Sequence, residues 1–148
     1  MGHRTIAALG VTLLLQTMAP CFSLAQAASF EGASEVTVTV DARHPWADSG
    51  LTVRKGERWS FKADGTIHWG AEPDQVAGPD GHGARAGKLG KGGLIGRVGL
   101  NGKPFPIGSA RAPIVMPKAG TLFLGINDFV FSDNAGSFTV VVGRVATP

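Results

Sequence analysis

The sequence predicts an all-β protein arranged as an antiparallel sandwich. Short runs rich in Val, Thr, Ile and Phe recur roughly every dozen residues, with turn residues between them. Glycine is abundant, at 22 of 148 residues. No stretch keeps the period of an amphipathic helix, and a chain of this length makes one domain large enough for a two-layer core.

The chain opens with a segment that has the character of an export signal. His3 and Arg4 are basic, Thr5 to Ala19 is apolar, and Ala25-Gln26-Ala27 has the small-x-small pattern of a signal-peptidase site. Residues 1–27 are therefore expected to be a signal peptide and residues 28–148 a single exported domain, periplasmic or secreted. Pro20 directly before Cys21 fits lipidation poorly. Cys21 is the one cysteine, so residues 28–148 can form no disulfide. No later segment approaches the roughly twenty apolar residues of a membrane span. The formal charge of +3 is small and scattered, which argues against nucleic acid as a partner.

Val36-Thr37-Val38-Thr39-Val40 alternates and reads as a half-buried strand. His44 to Gly50 reads as a loop with Pro45 and Gly50 as breakers, its Trp46 either packing or a platform for a sugar ring. Leu51-Thr52-Val53, a turn at Arg54 to Glu57, and Arg58 to Ala63 read as strand, turn and strand, with Trp59, Phe61 and Ala63 on the core face. Asp64-Gly65 predicts a hairpin turn into Thr66-Ile67-His68-Trp69. Ala71 to Gly93 has no hydrophobic period and reads as a long loop. Its glycines do not match a phosphate loop, since Leu89 follows Lys88 where Ser or Thr is required. Leu94 to Gly99 resumes the strand pattern, Asn101-Gly102 marks a turn, and Thr121 to Ile126 and Ser137 to Val142 are the last two strands.

Between those last strands lies Asn127 to Asn134, where Asp128, Asp133 and Asn134 gather three hard oxygen side chains. Hard oxygens suit Ca²⁺, and two carboxylates match a divalent ion. The same residue types also make ordinary turns, and the helical calcium-loop spacing fails at Val130. The residues alone leave both readings open.

Asn127-Asp128, a short insert, then Asp133-Asn134-Ala135-Gly136-Ser137-Phe138 resembles the calcium and sugar loop of the PA-I galactophilic lectin family. Lys55-Gly56-Glu57, the strand ending Trp69-Gly70, the run Gly93 to Gly99 and the segment Ala112 to Met116 before Ala119-Gly120 are similar too. The resemblance implies a jelly-roll-like, galactose-binding-domain-like sandwich that holds Ca²⁺ and bridges it to a carbohydrate, with galactose as the leading sugar. It places the side chains of Asp128, Asp133 and Asn134 and the carbonyls of Trp69 and Val130 on the metal, with Phe131 as the alternative to Val130. Asp128 and Asn134 would also contact the sugar. The middle loop is shorter than in the family and has a single histidine, so His82, Asp80 and Arg85 are the candidate further contacts. The family forms tetramers, which raises a homo-oligomer as an expectation.

Catalysis is not expected. There is no G-x-S-x-G and no cysteine beyond Cys21, and the carboxylate pair a glycosidase needs is here assigned to metal. A calcium-stabilised module without sugar binding is the alternative to a lectin.

Overall fold

The computed structural model describes residues 35–146. Nine strands build it: β1 (Val36–Asp41), β2 (Ala47–Val53), β3 (Arg58–His68), β4 (Val76–Ala77), β5 (Leu94–Val98), β6 (Phe105–Pro106), β7 (Ile114–Val115), β8 (Gly120–Ile126) and β9 (Ala135–Val145). One sheet runs β1-β9-β3-β4, with β7 also paired to β3; the other runs β2-β8-β5-β6. Every pairing is antiparallel. The all-β antiparallel sandwich expected from the sequence is thus the observed architecture.

Alternation puts the core where the two sheets face each other. Val38 and Val40 of β1, Trp59, Phe61 and Ile67 of β3, and Phe138, Val140 and Val142 of β9 are buried on one side. Val53, Leu94, Val98, Leu122, Leu124 and Ile126 are buried on the other. Each fully buried aliphatic or Phe side chain contributes about 1.5–3 kcal/mol relative to an exposed one, so this double row is the main source of stability.

Three local expectations are corrected. Asp64-Gly65 is not a hairpin turn: β3 continues through it, with Asp64 opposite Thr139 and Gly65 opposite Phe138. The core parity of Trp59, Phe61 and Ala63 simply carries on through Gly65 to Ile67. Gly65 has φ +115°, and a Cβ there would lie 2.7 Å from the Ser137 carbonyl oxygen, so close backbone approach explains the glycine. The stretch from Ala47 to Gly50 belongs to β2, with a register shift between Asp48 and Thr52. Buried Ser49 makes this possible by donating to the Leu122 carbonyl at 2.6 Å. Ala71 to Gly93 is not structureless either: β4 pairs with the end of β3, and the bridges His82–Lys91 and Arg85–Lys88 form a small hairpin. The assigned signal peptide and Cys21 lie outside the described residues.

β8 and β9 belong to different sheets, so Asn127 to Asn134 crosses from one layer to the other over one end of the sandwich. Four other segments meet at that end. The His68–Ala135 and Asp41–Ser137 pairs bring the ends of β3 and β1 there. The Leu94–Ile126 pair brings the start of β5, and with it the base of the hairpin.

Candidate functional site

Asn127 fastens the crossover to the hairpin. Its N–H donates to the Gly93 carbonyl at 2.8 Å, its carbonyl accepts from Gly92 N–H at 2.9 Å, and its side-chain amide donates to the Gly90 carbonyl at 3.2 Å. Gly92 packs directly on Trp69, where an added Cβ would come within 3.1 Å of the Trp69 Cβ. Strand-end Trp69, the hairpin and the crossover are thereby held against one another.

Asp128 sits at the centre, its side chain only 1% exposed. Its Oδ1 accepts from Phe129 N–H at 2.8 Å, and its Oδ2 accepts from Asn134 Nδ2 at 3.1 Å. Lys91 Nζ stands 3.8 Å from Oδ1 and is the one side-chain cation within ion-pair distance among the described residues. The same ammonium lies 4.2 Å from the centroid of the Trp69 ring, a cation–π distance. A buried carboxylate requires such a partner, because desolvation of an unpaired charge is costly.

Asn134 is 5% exposed. Its Nδ2 donates both to Asp128 and to the Ala42 carbonyl, at 3.0 Å. Two acceptors facing one nitrogen fix which way the amide points. The other atom, Oδ1, is buried with no hydrogen-bond partner. Leaving such a group unsatisfied costs about 1–3 kcal/mol, which a cation beside Asp128 would offset. The residues present therefore fit a metal ion.

Trp69 offers a second open oxygen. Its N–H donates to the Gln75 carbonyl at 2.9 Å, continuing the β3–β4 ladder by one bond. The reciprocal bond is missing because Gln75 N–H turns to the Glu72 carbonyl at 3.0 Å. Among the described residues no N–H takes the Trp69 carbonyl in its place.

The remaining sequence candidates lie around this centre. Val130 is 54% exposed and follows Phe129, which is 94% exposed, at the tip of the crossover. Asp133 is exposed as well, while the Phe131 carbonyl accepts Asn134 N–H at 3.3 Å. The ring of His82 lies 5.4 Å from that of Trp69, centroid to centroid. Arg85 is at the hairpin tip, one rung beyond the His82–Lys91 bridge. Asp80 has both oxygens taken by Ser109, one by its N–H at 2.8 Å and one by its hydroxyl at 2.6 Å. Those bonds hold the Asp80 carboxyl below its usual pKa. No cluster of three or more His, Cys, Asp or Glu side chains suited to a metal occurs among the described residues, so a site here must rely on amide and main-chain oxygens as well as carboxylates. Lys91 and Asn127 are not among the ligands or sugar contacts that the sequence suggests. Nothing in their spacing reveals that the hairpin folds back onto Asp128.

Trp46 lies elsewhere, on the outer face of the second sheet. The Arg97 guanidinium stacks 4.2 Å from its ring centroid, and a Cβ on Gly125 would approach the same ring to 2.9 Å. Its environment is that of a packed residue.

No protein-family model and no curated protein matches the chain. Among solved structures, one described as the EclA N-terminal domain, a PllA-like lectin, superposes with a TM-score of 0.65 at 29% sequence identity. The match covers 74% of this chain and 96% of that one. The chain thus has the fold of a lectin domain and is lectin-like.

Proposed function

We propose that this protein is an exported, non-catalytic, calcium-dependent carbohydrate-binding protein, with a galactose-type sugar as first candidate. The observation that carries the reading is the buried, partnerless Oδ1 of Asn134 beside the buried carboxylate of Asp128, at one end of a fold shared with a lectin domain. Export rests on the leader-like character of residues 1–27, and galactose on the resemblance of the crossover.

Asp128, Asp133 and Asn134 would hold the ion with their side chains, and Trp69 and Val130 with their carbonyls. Calcium takes about six to eight oxygens, so it supplies open positions for two vicinal hydroxyls. With Lys91 withdrawn, Asp128 Oδ1 can accept from one of those hydroxyls, which favours a hydroxyl pair of matching geometry, while Asn134, its Nδ2 taken by Asp128 and Ala42, meets the sugar only through the shared ion. Trp69 and Lys91 form the wall beside them. Lys91 must release Asp128 when the ion enters, since both cations use the same carboxylate. A shallow site of this kind binds a single sugar weakly, and a homo-oligomer would raise avidity.

The second reading is a calcium-stabilised module whose ion only ties loops together. It draws on the way the crossover already fastens β1 through Ala42 and the hairpin through Gly90 to Gly93. Thermal melts of residues 28–148 separate the two. In chelator, in calcium, and in calcium with galactose, a lectin gives two successive rises in Tm, and Asp128→Ala abolishes both. A rise with calcium and with no sugar supports the structural module, and no response to millimolar calcium refutes both.

A further inference from the structure

The hairpin over the site has a one-sided charge. From Gly81 to Gly93 it contains Arg85, Lys88 and Lys91 and not a single Asp or Glu. Asp80, just before it, is occupied by Ser109. Lys91 reaches Asp128, while Arg85 and Lys88 stand in no ion pair among the described residues. The rungs order these cations along one line, with Lys91 beside Trp69 at the base and Arg85 and Lys88 at the tip.

On the calcium reading, a divalent ion balances Asp128 and Asp133. Lys91 then loses its countercharge, and the hairpin presents three uncompensated cations to whatever occupies the site. Single-sign fields of this kind attract ligands of opposite sign and are weakened by salt. From this arrangement we infer that the preferred ligand is an anionic sugar, a glycan carrying a carboxylate or sulfate next to the calcium-bound hydroxyls, and that Lys91 is the residue reading that charge. The inference rests on the lectin reading and adds the ligand class to it.

The test is titration calorimetry of residues 28–148 in excess calcium with the methyl glycosides of galactose, galacturonic acid and galactose 6-sulfate. The acidic sugars are expected to bind about fivefold more tightly than galactose at low salt, with the advantage shrinking as salt rises. Comparing the two acids identifies whether carboxylate or sulfate is preferred. Lys91→Gln is expected to remove most of that advantage, so that within the variant the acidic sugars bind about as well as galactose does. Because Lys91 also neutralises buried Asp128, the double variant Arg85→Gln/Lys88→Gln, at the exposed tip, provides a second probe and should lower the advantage in part. Lys103→Gln, at the opposite end of the sandwich, removes a charge without affecting the preference. If galactose binds as well as or better than both acids, or if Lys91→Gln keeps the full preference, the inference is wrong and the lectin reading stands. If none of the three binds in a calcium-dependent way, both fall together.

Discussion

Two aspartates of this molecule, Asp80 and Asp128, have the same chemistry and opposite settings. Asp80 is exposed, and both of its oxygens are bonded by Ser109. Asp128 is buried beside an amide oxygen that nothing satisfies, and its countercharge comes from a lysine whose own side chain is 49% exposed. The first arrangement is complete as it stands and serves to pin a loop. The second is strained by an unmet polar demand, and such demands in a folded protein tend to mark the place where something else binds.

Asn134→Asp breaks this comparison most severely. It removes the donor to Ala42 and Asp128 and sets a second carboxylate against the first in a buried place. In chelator the loss of stability should be about 3–5 kcal/mol by urea denaturation, and calcium should restore more stability than it does in the wild type. A variant as stable as the wild type in chelator would mean that Asn134 is not held as described. Asp128→Ala should cost about 2 kcal/mol, because Phe129 N–H and Lys91 lose their partner, and its Tm should no longer respond to calcium.

Ser109→Ala acts on the opposite case and should cost about 1 kcal/mol while leaving the calcium response intact. It also changes the acid limb of the stability curve. The Asp80 carboxyl is depressed when folded, so its contribution is present above its unfolded pKa and is lost as pH falls through the folded one. Without the Ser109 hydroxyl that acid-side loss should shrink, which stability measured between neutral pH and about pH 3 would reveal.

The smallest effect belongs to Arg43→Ala. Hydrogen bonds from the Arg43 side chain, then its backbone N–H, hold the Asp41 carboxyl down at about 2. In the variant, NMR titration should show it rising towards the ordinary value of 3.8. Asp41 stabilises the fold above its unfolded pKa and loses that contribution as pH drops towards about 2. The variant should lose it at higher pH.

What could be read in advance was what depends on near neighbours along the chain. The Val-Thr alternation of β1 and the core parity of β3 are local facts, and the strands formed as those patterns require. Asp64-Gly65 has the composition of a turn, but the register that sets Gly65 against Phe138 and Ser137 lies far away in sequence and keeps the pair in the strand. Asn127 to Asn134 stood out by composition, yet its role as a crossing between sheets depends on β8 and β9 finding partners far away in sequence. Lys91 was invisible as a site residue for the same reason: its partner Asp128 comes within reach only once the hairpin has closed over Trp69.

One further consequence concerns assembly of the fold. β9 is the last of the nine strands and is paired on both sides, to β1 and to β3. Until it inserts, those two strands have no common neighbour and expose unpaired edges, a state open to aggregation. Contacts of such long sequence separation also slow the search for the native state. Since Asn134 immediately precedes β9, the site closes only when that strand docks. Formation of the site is thus coupled to completion of this sheet, and a molecule that has not completed it has no site to offer.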